Sequence, residues 1–339
     1  MRRTLSGAPA RFEGGVQEVA PGVYAWLQPN GSWGESNAGL VAGDGEALLV
    51  DTLWDPRLAR RMLDALPDIP ITTVVNTHSD GDHCWGNQCL AGAEIVATRT
   101  AARIIREDPP AGLQRFKAMA PWLRRLPERV PGHELGAYVE RMLAPFDFAA
   151  VKVTPPTREF DGELTLHAGG REVRLIEVGP AHTAGDAIVH VPDAGVVLAA
   201  DILFVGVLPV MWAGPTANWL RALDRVLELA PAAIVPGHGP VCGSEEAGVV
   251  REHLAWLQEA GESRLARGRS VPEVARELLA SPEHRESPWA AWQGPERIVI
   301  TLTTIDRHRR GAAGPVGARE RARIFAQVAE LAAELSAGT

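Results

Sequence analysis

The sequence predicts an α+β protein built from two β-rich halves that are covered by helices. Short apolar runs of strand length form pairs around glycine-containing turns, near residues 43–45 and again near residues 168–171. Stretches with apolar residues at helical spacing lie between and after these runs. Several of the strand-like runs end in segments that contain His or Asp. Two halves of this kind fit a layered arrangement of sheets and helices.

The first half begins with hairpins over residues 16–54. Asp55 and Pro56 then supply an N-cap and a proline in the first helical turn, which predicts a helix that ends at Pro67. Leu58 and Met62 give this helix one apolar face. The strands predicted in this half are 23–27, 39–42, 47–51, 71–76 and 94–97.

The second half repeats the pattern, and a helical extension follows it. Trp219, Leu223 and Val226 mark a helix in this half. The extension, residues 246–339, contains the capping box Ser270-Glu273, whereas residues 298–305 are rich in β-branched side chains and fit either a helix or a strand. Trp289 and Trp292 are assigned to core packing, with a pocket wall or a homodimer contact as the alternatives. The strands predicted in this half are 163–167, 172–178, 187–191, 196–200 and 233–235.

Composition limits the class of protein. The 339 residues are 46% apolar, which is enough for a substantial core, and no apolar run approaches the length of a membrane span. A net charge of -8 argues against nucleic acid as a partner. Residues 1–15 are expected to form a flexible leader without the apolar segment of a signal peptide. Three cysteines without a CxxC pair fit reduced thiols, so we expect a cytoplasmic protein.

One polar segment dominates the sequence. Directly after the strand predicted at 71–76, His78, Asp80, Asp82 and His83 fall within six residues around Gly81. Imidazole nitrogen and carboxylate oxygen are the protein ligands suited to a borderline divalent cation. A solvated polar turn is the alternative, but four such side chains in six residues favour a metal site.

Three further segments complete a recognisable pattern. They are Gly179-Pro180-Ala181-His182-Thr183-Ala184-Gly185-Asp186, Leu198-Ala199-Ala200-Asp201 and Pro236-Gly237-His238-Gly239. Together with the first segment, in this order, they resemble the metallo-β-lactamase superfamily over residues 16–245. The resemblance implies a four-layer αββα sandwich with a helical insertion at 98–150 and a C-terminal helical extension.

The resemblance also implies a dinuclear metal centre. One ion would be held by His78, Asp80 and His182, and the second by Asp82, His83 and His238, with Asp201 bridging. Two such ions share a hydroxide and polarise a scissile carbonyl or phosphoryl group. Asp82 and Asp80 are the predicted catalytic carboxylates. Residues expected to orient the ligands are Asn76, Thr77, Thr183 and Asp186, and a turn-capping role is an equal alternative for the last two.

Asp80 departs from the usual His-x-His-x-Asp-His run, in which a histidine stands at this position. Three aspartates and a hydroxide neutralise two divalent ions, whereas a histidine would leave one positive charge. Carboxylate oxygen is also a harder ligand, so iron or manganese becomes more plausible beside zinc, which stays the first choice. In an alternative interpretation Asp80 ligates weakly and one tight metal remains at the second site.

Residues 98–150 are the candidate substrate lid. Between residues 99 and 152 ten Lys or Arg face six Asp or Glu, so the segment is basic in an acidic chain. Long irregular segments are common sites of function, although a solvated helical excursion is the alternative. The candidate substrate-binding residues, in this segment and beside the metal motifs, are Trp85, Phe116, Met119, Trp122, His133 and Trp212.

These features favour a hydrolase of small-molecule esters, thioesters, lactones or amides, with an acyl-carrier or CoA-linked substrate as a specific form. Cys84-Trp85-Gly86-Asn87 after the metal motif is similar to cyclases and thioesterases of aromatic polyketide pathways, which gives a cyclase as the alternative. A non-catalytic binding module on the same fold is the third hypothesis. Neither nucleic acid nor a membrane is an expected partner.

Overall fold

The computed structural model describes residues 1–90, 92–107, 109–130, 132–312 and 314–338. Its first sheet has seven strands in the order of the chain. The first four strands are antiparallel, and the fourth to the seventh are parallel. They are β1 (Gly15–Ala20), β2 (Val23–Leu27), β3 (Ala38–Ala42), β4 (Ala47–Val50), β5 (Ile71–Val75), β6 (Glu94–Thr98) and β7 (Arg158–Phe160).

The second sheet has five strands, with the last strand in the chain at one edge. Its strands are β8 (Glu163–Ala168), β9 (Arg171–Glu177), β10 (Ala187–Val191), β11 (Val196–Phe204) and β12 (Ala233–His238). β8 to β11 are antiparallel, whereas β11 and β12 are parallel. Each half therefore contains parallel neighbours whose carboxyl ends meet at one edge of a sheet.

The alternation of side chains along the strands builds the layers. Leu48 and Val196 belong to the apolar cluster between the two sheets. Their neighbours Leu49 and Val197 point the other way and belong to the cluster that includes the flanking helices. These helices include α1 (Pro56–Leu63) and α6 (Thr216–Glu228). The predicted αββα sandwich is confirmed.

Helix α1 begins where the sequence predicts but ends earlier. Asp55 caps it by accepting a hydrogen bond from the backbone N–H of Leu58 at 2.8 Å. The helix ends at Leu63, one turn before the predicted end at Pro67. It leads, by way of β5, to the short helix α2 (Gly81–Cys84), which lies inside the predicted metal motif.

The predicted insertion is helical. It contains α3 (Arg99–Glu107), α4 (Ala111–Arg124) and α5 (His133–Leu143), while Asp108 and Pro131 lie outside the described residues. Gly136 allows α4 and α5 to approach closely, since an added Cβ there would lie 2.3 Å from the backbone nitrogen of Arg124.

The predicted C-terminal extension is helical throughout its described regular elements, and its first helix begins at Ser244. Its helices are α7 (Ser244–Ala266), α8 (Val271–Ala280), α9 (Pro282–Arg285), α10 (Ile298–Arg309) and α11 (Ala318–Ala337). The predicted capping box is confirmed, because Glu273 accepts a hydrogen bond from the Ser270 backbone N–H at 2.8 Å. None of the described helices combines the length and apolar character needed to cross a membrane.

Residues 298–305, which fitted either a helix or a strand, form the first part of α10. Ile298, Val299, Ile300, Leu302 and Ile305 are all buried. Burial on several sides of one helix overrides the weak strand preference of β-branched residues.

Residues 1–15, which the sequence predicts to form a flexible leader, make hydrogen bonds to the segment between β2 and β3, and the flexibility of this region stays a prediction. The backbone N–H of Leu5 donates to Glu35 at 2.8 Å, and that of Arg11 donates to Asn30 at 2.6 Å. Both acceptors lie in the segment between β2 and β3.

Candidate metal centre

Seven His and Asp side chains from both halves converge at one edge of the sandwich. The ligand atoms of three subsets each lie within 4.8 Å of one another. The subsets are His78-Asp80-His182, Asp82-His83-His238 and His78-His83-Asp201. The first two are the two triads that the resemblance implies.

Asp201 lies between the two triads. Its Oδ1 is 3.1 Å from Nε2 of His83, and its Oδ2 is 3.2 Å from Nε2 of His182 and 3.5 Å from Nε2 of His238. Gly237 leaves room for this carboxylate, because an added Cβ would lie 1.9 Å from Oδ1. A carboxylate whose oxygens lie near histidines of both triads has the position of a bridging ligand.

The two remaining aspartates each belong to one triad. Asp80 Oδ2 is 3.3 Å from Nε2 of His182, and Asp82 Oδ2 is 3.6 Å from Nε2 of His238. Asp80 therefore lies where the usual histidine of the motif would contribute its nitrogen.

The donor atoms fit a pair of divalent cations. Among the described residues, His78 Nε2, His83 Nε2 and Asp201 Oδ1 are buried and lack a hydrogen-bond partner. Unpaired buried polar atoms are costly unless something satisfies them. Imidazole nitrogens and carboxylate oxygens that share one space are the ligands of zinc, iron and manganese.

Asp51, which the sequence analysis did not select, orients two of the imidazoles. Its carboxylate accepts a hydrogen bond from Nδ1 of His83 at 2.8 Å and from the hydroxyl of Thr77 at 2.8 Å. Thr77 Oγ1 in turn accepts from Nδ1 of His78 at 2.9 Å. Both histidines therefore carry their proton on Nδ1 and present Nε2 to the shared space.

Asp186 holds the loop that carries His182. Its carboxylate accepts hydrogen bonds from the backbone N–H groups of Ala181 at 3.1 Å and Thr183 at 3.0 Å. Of the two roles weighed for Thr183 and Asp186, the contacts correspond to turn capping. Burial raises the pKa of Asp186 to about 6, against the lowering effects of His182 and Thr183. The ring of His182 itself is oriented by the carbonyl oxygen of Val210, which accepts from Nδ1.

Electrostatic coupling within the cluster is strong. Burial alone would raise the pKa of Asp201, but His83, His238 and His182 hold it well below its usual value. Burial would likewise raise the pKa of Asp80, and His182 with His78 lowers it to about 2. Asp201 and Asp80 are thus held as carboxylates, the form that binds cations, whereas burial raises the pKa of Asp82 against the lowering effects of His83 and His238.

A family comparison agrees with this geometry. The model of the metallo-beta-lactamase superfamily matches residues 31–238, which include every candidate ligand. The chain belongs to the metallo-beta-lactamase superfamily.

Solved structures of metallo-β-lactamase fold agree in architecture. The inverting sec-alkylsulfatase Pisa1 from Pseudomonas sp. is 17% identical, with a TM-score of 0.65, and the match covers 87% of this chain and 50% of that one. A metallo-beta-lactamase family protein from Thermus thermophilus is 22% identical, with a TM-score of 0.59 and coverage of 88% and 98%. A metallo-beta-lactamase from Pontibacter korlensis is 17% identical, with a TM-score of 0.54 and coverage of 72% and 99%. The chain spans about half the length of the alkylsulfatase, and these likenesses concern the fold.

Solvent reaches this metallo-β-lactamase centre from the side of Asp80. The Asp80 side chain is 36% exposed and that of Asp82 is 14% exposed. The side chains of the other five candidate ligands are at most 6% exposed. A substrate would therefore meet Asp80 and Asp82 first.

The predicted substrate-binding residues fall into different environments. Trp212 and Phe116 of the helical insertion both lie beside Phe325 of α11. Trp85 is buried and packs edge-on against Phe148, so it belongs to the core. Met119 and Trp122 are 50% and 70% exposed, and His133 hydrogen-bonds the carbonyl of Leu126 at 2.8 Å.

Proposed function

We propose that the chain is a dinuclear metal-dependent hydrolase that cleaves an ester, thioester, lactone or amide of a small molecule. The observation that carries this proposal is the pair of triads with Asp201 between them and with buried, unpaired donor atoms. Divalent ions bound there would supply Lewis-acid polarisation of the substrate and lower the pKa of bound water. Superfamily membership supports the hydrolase class.

The chain's own residues divide the remaining work. His78, His83 and His182 are ligands whose Nδ1–H groups are already engaged, which fixes the orientation of each ring. Asp82 and Asp80 are the catalytic carboxylates of the proposal, since they combine ligand positions with solvent access. Asp82 orients the attacking water by accepting its hydrogen bond, and Asp80 takes the corresponding place in the other triad.

Zinc is the first choice for both ions, and iron or manganese is the alternative. Iron and manganese are alternatives because Asp80 gives the first triad a harder oxygen donor in place of the nitrogen donor of the usual motif. This change of metal preference concerns the first triad, because the Asp82-His83-His238 set keeps the usual two imidazoles and one carboxylate.

The polyketide cyclase alternative gains no support from the motif that suggested it. Cys84, Trp85, Gly86 and Asn87 are buried. Asn87 accepts a hydrogen bond from Thr52 at 2.8 Å, and an added Cβ at Gly86 would lie 1.9 Å from the Thr52 carbonyl oxygen. These residues position the metal loop, a task that is the same for hydrolysis and for cyclisation.

Elemental analysis of the purified protein tests the centre. We expect two metal ions per chain in the wild type and about one in Asp80→Ala and in His238→Ala, because each variant removes a ligand of one triad. Asp68→Asn, at an exposed position, is the charge control and should keep both ions.

Hydrolysis of nitrophenyl esters, thioesters and lactones by the same preparations then tests the reaction class. Activity should fall with metal content in both ligand variants. A single ion that is unchanged by Asp80→Ala would overturn the dinuclear proposal, and metal-loaded protein inactive on all three substrate classes would overturn the reaction.

A further inference from the structure

Three aromatic rings form a row that we call the aromatic arch: Trp33, Phe325 and Trp212. The ring centroid of Phe325 is 5.7 Å from that of Trp33 and 6.2 Å from that of Trp212. Phe116 of α4 packs against the same phenyl ring at 5.9 Å. The arch therefore joins the sandwich, the lid and the C-terminal helix α11.

The segments at both ends of the arch contact residues of the candidate metal centre. Near Trp33, Ser36 donates a hydrogen bond from Oγ to the carbonyl of Asp82 at 2.6 Å. Gly31 lies against His238, since an added Cβ there would be 3.1 Å from the Cβ of His238. At the other end, the backbone N–H of Trp212 donates to the carbonyl of His182 at 2.8 Å. The arch thus extends from the second triad to the first.

Arg297 lies over the Trp33 end of the arch, where its guanidinium is buried and incompletely hydrogen-bonded. Its guanidinium carbon is 4.4 Å from the ring centroid of Trp33, and the residue is only 4% exposed. The hydrogen bond from its Nη2 to Ser32 Oγ is long, at 3.5 Å, and its Nε is buried without a hydrogen-bond partner in the described part of the chain.

The acidic groups around Arg297 are engaged elsewhere. Glu35 accepts hydrogen bonds from the backbone N–H groups of Leu5 and Ser32, and Glu296 accepts from the hydroxyl of Tyr138 at 2.9 Å. Within the described residues no carboxylate oxygen lies within 4.0 Å of the Arg297 guanidinium. A buried cation without a partner anion is costly.

The local fold does not explain this cation. Arg297 occupies the N-cap position of α10, where the helix dipole disfavours positive charge. Stacking on an indole compensates for part of the desolvation but leaves the Nε–H donor, which lies in the guanidinium plane, without an acceptor among the described residues.

We propose that Arg297 is a specificity-determining residue that binds an anionic group of the substrate, while the apolar part of the substrate lies along the aromatic arch. The anion is an oxyanion such as a carboxylate, sulfate or phosphate, remote from the bond that is cleaved. This inference rests on the proposed hydrolase function and names its substrate class, an acidic amphiphile.

Two esters of matched length test the preference. They are 4-nitrophenyl hexanoate, which is neutral, and the 4-nitrophenyl half-ester of adipic acid, which carries a carboxylate at its far end. In Arg297→Met we expect KM for the anionic ester to rise by about tenfold or more, with little change for the neutral ester and unchanged metal content. Arg297→Lys, which keeps the charge, should retain most of the preference.

Arg267→Met is the charge control, because Arg267 is exposed and lies outside both the arch and the helical insertion. It should leave both KM values unchanged. Equal losses on both esters in Arg297→Met, or no loss on either, would overturn the assignment.

A binding measurement separates this inference from the hydrolase proposal. Calorimetric titration with octanoate, octyl sulfate, octyl phosphate and octanol uses no catalysis. We expect the wild type to bind at least one of the three anions about tenfold more tightly than octanol, and Arg297→Met to lose that difference. The anion that binds most tightly identifies the class of oxyanion that Arg297 prefers. Binding that is lost in Arg297→Met supports the inference even if no ester is cleaved, and anion binding that is the same in both proteins refutes it.

Discussion

At the scale of single residues, Asp51 controls the centre although it is not a candidate ligand. It connects to His83 directly and to His78 through Thr77. Its backbone φ of 64° lies in the left-handed region, which Asp tolerates better than most residues. Because one carboxylate fixes the tautomers of two imidazoles, a substitution of Asp51 should disturb a ligand in each triad.

Asp51→Asn should weaken metal binding by about 10–100-fold while the protein stays folded. The amide keeps the shape and the backbone preference, but its NH2 group cannot accept the hydrogen bond from His83 or Thr77. Competition with a fluorescent chelator measures the affinity, and thermal unfolding of the metal-free protein monitors the fold.

Asp68→Asn, which also removes one negative charge, should leave the metal affinity at the wild-type value. The positioning role of Asp51 would be refuted by an affinity in Asp51→Asn that equals that of this control.

The candidate ligands could be predicted from sequence because each lies in a short motif at the end of an apolar strand. Asp51 offered the same signal, since it follows the apolar run of β4, which is the parallel neighbour of β5. Nothing local marks Arg297, which meets Trp33 only because α10 folds back onto the segment after β2. Side-chain pairs so distant in sequence depend on the whole packing arrangement.

At the scale of elements, the helical insertion depends on one close approach. A Cβ at Gly136 would lie 2.3 Å from the Arg124 nitrogen and 2.7 Å from the Ala120 carbonyl oxygen. Both are backbone atoms of α4, so the conflict cannot be relieved by a side-chain rotation. The composition of residues 98–150 indicated helices, but this contact could not be read from it.

Gly136→Ala should therefore lower the free energy of unfolding by about 1–3 kcal/mol, through separation of α4 from α5. Chemical denaturation measures the change, and limited proteolysis should show faster cleavage between residues 111 and 143. Gly112→Ala in α4 is the control, because no heavy atom lies within 4 Å of its added Cβ. It should be neutral or slightly stabilising. Equal stability of the two variants would contradict the close-packing argument.

At the scale of the whole molecule, a cluster of rings around His253 packs the C-terminal helices together, next to a residue that connects them to the sandwich. This imidazole lies 5.3 Å from Trp289 and 5.1 Å from Trp292 between ring centroids. The neighbouring Gln293 pairs with Val207, just after β11. The sequence assigned both tryptophans to core packing by default, and the buried Trp289 fits that assignment. Burial, with a smaller contribution from His284, lowers the pKa of His253 to about 3.

Acid should consequently weaken the fold through His253. The unfolded chain binds a proton near pH 6.5, which the folded protein resists until about pH 3. Stability that is present above pH 6.5 is therefore lost as the pH falls, with a slope of up to about 1.4 kcal/mol per pH unit for this group. Denaturant unfolding of the wild type and of His253→Phe, at several pH values, isolates the slope as the difference between the two proteins. Parallel pH profiles would contradict this prediction, because they would show that the pKa of His253 is the same in the folded and the unfolded protein.

The position of the candidate ligands along the chain also has a consequence during biosynthesis. A ribosome makes His78 through His83 early, whereas His182, Asp201 and His238 emerge much later. Neither triad is complete in a nascent chain that lacks the second half, because His182 follows β9 and His238 ends β12. In the proposed centre, the second triad is complete only after β12 has paired with β11, because β12 ends at His238. A newly made polypeptide would therefore hold both ions firmly only after both halves have closed on each other.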